Sequence, residues 1–172
     1  MNISIRKGTP GDAEALADIA RRTFHETFAA YNRPGDNELH EARTYGVAQQ
    51  SRELQDPSII TLLAECDGAL AGFTQLKPGS VPPPVPDAEH PIEVARFYVD
   101  KPWHGHGVAQ KMMTAVEDEA RRVEARTMWL GVWEHNERAK AFYAKCGFVD
   151  VGTQIFIVGT DPQTDRVMLR SL

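Results

Sequence analysis

The stretch Phe97-Tyr98-Val99-Asp100-Lys101-Pro102-Trp103-His104-Gly105-His106-Gly107-Val108-Ala109 decides the fold. An apolar run ends at Val99, a turn with Pro102 and two glycines follows, and Val108, Met112, Val116 and Ala120 recur at i, i+4 spacing. The pattern predicts strand, turn and helix, with almost no side chain at the helix N-terminus. Such a start leaves backbone N–H groups unpaired at the positive end of the helix dipole, a ready seat for a diphosphate. From Gly105 to Gln110 the small residues Gly105, Gly107 and Ala109 let phosphate oxygens approach the backbone. No Lys-Ser/Thr pair follows the last glycine, and no G-x-G-x-x-G lies near the N-terminus, so neither a P-loop nor a dinucleotide fingerprint is present. Taken alone, the turn reads equally well as one made for packing.

Working outward, Ile92–Val99 reads as the strand entering this turn, with Glu93, Ala95, Phe97 and Val99 sharing one face unless a bulge intervenes. Before it, the run from Pro78 to Pro91 holds six of the eleven prolines and reads as a loop. Strands are expected at Ile59–Glu65 and Ala69–Lys77, joined by the hairpin signal Asp67-Gly68. Ile3 and Ile5 alternate with Ser4 and Arg6 as a further strand. Thr9-Pro10-Gly11-Asp12 opens a helix whose buried stripe is Leu16, Ile19, Ala20 and Phe24. Asn32-Arg33-Pro34-Gly35-Asp36 breaks it, and a second helix runs from about Asn37 towards Leu54. After the central helix come a strand at Thr127–Val132, a helix at Asn136–Cys146 closed by Gly147, and strands at Val149–Val158 and Arg166–Leu169. The expectation is one α/β domain over residues 1–172: a central mixed, mostly antiparallel sheet of about seven strands with about four flanking helices.

Composition narrows the function classes. With 172 residues, 42% hydrophobic and 25% charged, the chain has the profile of a globular domain with a full core. No run approaches the roughly 20 apolar residues of a membrane span, and Met1–Arg6 lacks the apolar region of a signal peptide. Two cysteines are too few for a disulfide scaffold, which points to the cytoplasm. A net charge of −5 argues against broad nucleic-acid binding and is compatible with a cationic substrate.

The second informative segment is Trp129-Leu130-Gly131-Val132-Trp133-Glu134-His135-Asn136 followed by Glu137 to Phe148. Seven helical positions return to nearly the same face, so Asn136 and Tyr143 point the same way. Together the two segments resemble the GNAT superfamily of acetyl-CoA-dependent N-acetyltransferases. His104-x-x-Gly107-x-Ala109 is similar to that family's Arg/Gln-x-x-Gly-x-Gly/Ala pyrophosphate motif, departing from it at His104. Asn136…Ala139…Phe142-Tyr143…Gly147-Phe148 resembles its second motif. Thr23-Phe24-x-x-Thr27-Phe28, Arg96-x-Tyr98, Trp129 to Glu134 with Asn136, and Gln163-Thr164-Asp165 resemble the bacterial spermine/spermidine acetyltransferase branch.

The resemblance implies direct aminolysis of acetyl-CoA, with a small cationic amine, a polyamine first, as acceptor. The other acceptor class is an amino-acid or protein amine, and a non-catalytic acyl-CoA-binding regulatory module is the remaining alternative. Tyr143 is implied as general acid toward the CoA sulfur, against core packing. Glu93 is implied as base, against a solvated edge carboxylate or acceptor-site charge. The donor would contact Phe97, Tyr98 and Val99 by backbone groups, the turn residues His104, Gly105, His106, Gly107, Val108, Ala109 and Gln110, and Asn136 with Tyr143. Phe24, His25, Glu26, Phe28 and Glu93 are implied at the acceptor pocket. His104 and His106, with no further ligand nearby, make a poor zinc site, so no metal is expected. No nucleic acid or membrane partner is expected, and the chain is expected as monomer or homodimer.

Overall fold

The computed structural model describes all residues, Met1–Leu172. Its strands are β1 (Ile3–Lys7), β2 (Ile60–Cys66), β3 (Ala69–Pro78), β4 (Pro91–Val99), β5 (Thr127–Trp133), β6 (Val149–Val158) and β7 (Asp161–Ser171). They form one sheet in the order β1-β2-β3-β4-β5-β7-β6. The helices are α1 (Ala13–Phe28), α2 (Pro34–Thr44), α3 (Val47–Gln55), α4 (Val108–Arg122) and α5 (Glu137–Lys145). The α/β fold with a seven-stranded mixed sheet is as expected, but five helices replace four. The expected second helix is two, because the chain turns extended at Gly46 (φ −65°, ψ 152°) between α2 and α3. Pro34 starts α2 rather than ending a break, since proline's fixed φ suits the first helical position. β7 is also longer than expected. It lies between β5 and β6; the β6 ladder extends it back to Asp161, and both ladders hold Asp165 extended although aspartate is poor in strands.

Every neighbouring pair is antiparallel except β4 and β5. These run parallel and pair only at Pro91↔Thr127, Ile92↔Met128 and Glu93↔Trp129. Beyond Glu93 the two strands part, and the sheet forks.

On its other side β4 carries a bulge: Leu76 lies opposite Val94 but Gln75 opposite Arg96, leaving Ala95 unpaired. One extra residue inverts the alternation. Ile92 and Val94 pack with Met113 and Val116 of α4, and Phe97 and Val99 pack around Val108 and Met112 of the same helix. Tyr98 turns the other way, against Phe24 and Phe73. Glu93 therefore shares a face with Arg96 and Tyr98. The expected row of Glu93, Ala95, Phe97 and Val99 is corrected by that single bulge.

Candidate active site

The fork opens a cleft of about 1150 Å³ that runs through the sheet, from the start of α4 on one side to α1 and α2 on the other. At the α4 mouth the turn behaves as its sequence predicts. Gly105 (φ 79°) and Gly107 (φ 82°) adopt left-handed backbone, and a β-carbon at either would meet open space. Glycine is required there for its backbone angle and not for room. No side chain caps α4, and the first backbone bond of the helix is Lys111 N–H to the Gly107 carbonyl at 3.2 Å. The N–H groups of Val108, Ala109 and Gln110 are thus free to meet an anion.

His104 staples this turn. Its Nε2–H donates to the Val99 carbonyl at 2.7 Å, and an Arg138 N–H donates to its Nδ1 at 2.8 Å. A carbonyl only accepts and a guanidinium only donates, which fixes the neutral Nε2–H tautomer. Both ring nitrogens are engaged, so His104 orients Arg138, a cleft-lining cation, beside the turn. The Val99 carbonyl is occupied by this bond, leaving the backbone of Phe97 and Tyr98 along the open edge of β4. His106 is exposed and stands off the cleft wall, because the turn aims it outward.

Tyr143 is buried among Phe97, Phe142 and Phe148, with ring centroids 6.0, 5.5 and 6.0 Å away. No hydrogen bond holds its hydroxyl, which is not sealed from the cleft. Burial pushes the phenol well above its ordinary range, so the group keeps its proton throughout the neutral range. Asn136, which lines the cleft, caps α5: its side-chain oxygen accepts from Ala139 N–H at 3.2 Å.

Across the sheet, Glu93 is half-buried on the cleft wall and accepts a hydrogen bond from the Ser80 hydroxyl at 2.6 Å. Glu26 and Phe28 also line this side. Phe28 packs on Trp133 at 5.5 Å, and Tyr31 meets the same indole edge-on at 4.8 Å. Two expected acceptor residues do not reach the cleft. Phe24 is fully buried in the core against Phe28, His40 and Tyr45, since its helix face points at the sheet. His25, on the solvent face of α1, sits 3.4 Å from Glu41.

The cleft contains groups that the sequence reading missed. Arg96 is taken up by Glu53 at 2.6 Å and lies over the Tyr45 ring at 5.1 Å. His40 lines the cleft with its Nε2 unpartnered, and burial lowers its pKa. Asp165 is buried beside Trp133 and Gln154, its register partners on β5 and β6. Burial pushes its carboxyl up to about 6, with the Gln154 amide opposing that shift and no cation nearby. Gly131 makes room for the pair: a β-carbon there would collide with the Gln154 amide and lie 2.9 Å from Asp165 Oδ2.

Comparison with known proteins agrees with this geometry. Residues 14–148 match the model of the acetyltransferase (GNAT) family. An uncharacterised N-acetyltransferase of Lactobacillus delbrueckii subsp. lactis is 30% identical over 94% of this chain and 92% of its own. One from Mycobacterium bovis is 32% identical over 94% of this chain and 98% of its own. The fold is shared by PaiA N-acetyltransferase from Thermoplasma acidophilum, solved in complex with coenzyme A, at TM-score 0.82 and 23% identity over the whole of both chains. It is shared as well by YncA, a putative acetyltransferase from Salmonella typhimurium solved with acetyl-CoA, at TM-score 0.69 and 20% identity over 100% of this chain and 95% of that one.

Proposed function

The chain belongs to the acetyltransferase (GNAT) family and is an acyltransferase, and from that premise we propose that it moves the acetyl group of acetyl-CoA onto a primary amine of a small cationic acceptor, a polyamine first. The observation that carries this reading is the forked sheet, with free helix N–H groups at one mouth and carboxylates at the other. The diphosphate sits on Gly105 to Gln110, with Arg138 adding charge. The pantetheine arm lies along Phe97 and Tyr98 as an added strand and touches the Asn136 amide. The thioester then reaches the throat of the fork, between Tyr143 and the acceptor side. Two proteins of this fold are solved with ligands of this class, one with coenzyme A and one with acetyl-CoA, which supports the choice of donor.

The amine enters from the α1–α2 side, where Glu93 and Glu26 hold its charges and Phe28, Tyr31 and Trp133 flank its hydrocarbon. It attacks the thioester directly, and Tyr143 protonates the departing sulfur. No metal takes part. Both cysteines are free thiols, and no helix is long and apolar enough to cross a membrane. A cytoplasmic monomer or homodimer, acting apart from nucleic acid and membrane, completes the proposal.

The test is an acetylation assay over polyamines, amino acids and peptide N-termini. Turnover of polyamines above the others is expected; preference for an amino acid or peptide would move the acceptor to that class. No turnover with any amine, but tight acetyl-CoA binding, would make the chain an acyl-CoA-binding module.

Two donor-side variants give further expected results. Gly107→Val forces a branched side chain onto a left-handed backbone, at about 1–3 kcal/mol of strain. Its KM for acetyl-CoA should rise about tenfold or more in a folded protein, and an unchanged KM would place the donor elsewhere. Arg138→Ala should raise the same KM several-fold while leaving kcat within about twofold, read by steady-state kinetics.

A further inference from the structure

Asp165 is the buried carboxylate of the cleft to which no cation is matched. Arg96, on the same face of the sheet, is spent on Glu53 and Gln75. Asp165 belongs to β7, behind the wall that β5 presents, and it reaches the cleft only because residue 131 has no side chain. Gly131 stands two residues beyond Trp129, the last β5 residue paired with β4. A carboxylate oxygen over Gly131 is therefore at the throat of the fork, where the strands have just parted. We propose that Asp165 receives the acceptor's ammonium group at this throat and takes its proton. The proposal deepens the acyl-transfer reading above and rests on it. Glu93, one pair below the opening and held by Ser80, then serves as the charge that anchors the acceptor.

The surroundings suit the work. From β4 Asp165 faces Tyr98, whose burial keeps its phenol neutral. From β5 comes Trp133 and from β6 Gln154, neither of which ionises. The helices contribute His40 and Glu26 to the same side of the cleft, and Tyr31 follows α1. Burial at the throat disfavours the carboxylate and pushes its ionisation up to about 6. Desolvation in the throat also favours the neutral form of the amine, drawing its pKa down from its usual value of ~10, while the attraction of the ion pair works against both shifts. Desolvation thus narrows the gap that the proton must cross.

The ammonium proton goes to the carboxylate, leaving a neutral amine and a neutral acid. The nitrogen lone pair forms the N–C bond at the thioester carbonyl. The C–S bond breaks with its electron pair on sulfur, which takes the Tyr143 proton. The nitrogen's surplus proton returns to the tyrosinate through cleft water, and Asp165 releases its own to solvent. The products are the acetamide, the CoA thiol and one proton.

Three forms of the full chain decide the matter: wild type, Asp165→Asn and Glu93→Gln. Each is assayed with acetyl-CoA and spermidine between about pH 5.5 and 8.5, and spermidine binding to the CoA-saturated proteins is measured by calorimetry. For wild type, kcat/KM for the amine should fall as pH drops through about 6, where the carboxylate is lost. Asp165→Asn should lower kcat/KM about a hundredfold at neutral pH, abolish that limb, and leave acetyl-CoA affinity unchanged. Glu93→Gln should weaken spermidine binding and keep the limb. A readout free of turnover is thermal stability. A carboxyl pushed above its unfolded value makes the native state bind more protons, so wild-type stability falls as pH rises from about 4 to 6. Asp165→Asn should lack that fall. The proposal is overturned if the Asn variant keeps the wild-type pH profile and rate, or if Glu93→Gln alone removes the limb. Wild type that neither binds nor acetylates spermidine or any other primary amine refutes the acyl-transfer reading itself, and this proposal with it. That outcome is read in wild type alone, so the two failures are told apart.

Discussion

Tyr143→Phe should lower kcat by at least about tenfold, with acetyl-CoA affinity within a few-fold of the parent. The substitution removes one oxygen and keeps the ring that packs against Phe97, Phe142 and Phe148. Folding should survive, because that hydroxyl makes no internal hydrogen bond. General-acid help is worth about 10²–10⁴ in rate. Burial holds the phenol above its ordinary range, so it stays loaded with its proton but gives it up only to a strongly basic partner. A nascent thiolate in the same desolvated throat is such a partner. An acyl donor with a more acidic leaving thiol needs less protonation and should lose less rate. Stopped-flow or steady-state release of thiol from two such donors measures the difference. Normal turnover of Tyr143→Phe with both would reduce the tyrosine to core packing.

Phe24→Ala should cost about 3–5 kcal/mol of stability, the usual range for a buried phenylalanine replaced by alanine. The ring is sealed under α1 with neighbours at 4.7, 4.6 and 5.6 Å, and its removal leaves a cavity among them. In a chain of this size such a loss lowers the melting temperature by roughly 6–20 °C. Calorimetry with parallel kinetics separates packing from acceptor binding. Glu26→Gln, on the cleft wall, should instead leave the melting temperature near the parent and raise the acceptor KM. A Phe24→Ala protein of normal stability with a ruined acceptor KM would return that ring to the pocket.

These two residues also show where sequence stops being legible. The turn from His104 to Ala109 and the Asn136–Tyr143 spacing were readable because each depends on neighbours in sequence: a left-handed glycine, a free helix end, a helical repeat. The resemblance puts Phe24 and His25 at the acceptor pocket, but the direction in which α1 rolls against the sheet is set by α2, α3 and β3. Counting in twos puts Glu93 on one face with Ala95, Phe97 and Val99, and the unpaired Ala95 shifts the count by one. Asp165 stands in the Gln163-Thr164-Asp165 stretch that carries part of the resemblance, but nothing local to it points to a place in the cleft. Its relation to the cleft arises from ladder register with Trp133 and Gln154 and from the missing side chain of Gly131. Arg138 lay within the quoted motif, yet its service to the turn appears only once His104, 34 positions away in the chain, is seen to hold it.

The three residue pairs that join β4 to β5 have a mechanical meaning. Everything on the β1–β3 side of the sheet is tied to everything on the β6–β7 side through that short seam and the packing of helices across it. A seam so narrow acts as a hinge, and its amides should exchange with solvent sooner than those in the β2–β3 ladder. A molecule laid along the free edge of β4 would act as a missing strand and knit the halves together. Hydrogen exchange should then slow on both strands at once, at Phe97 to Val99 and at Leu130 to Trp133, although the ligand lies against only part of either. Opening of the hinge, and not the chemistry, would in that case limit how quickly the products leave.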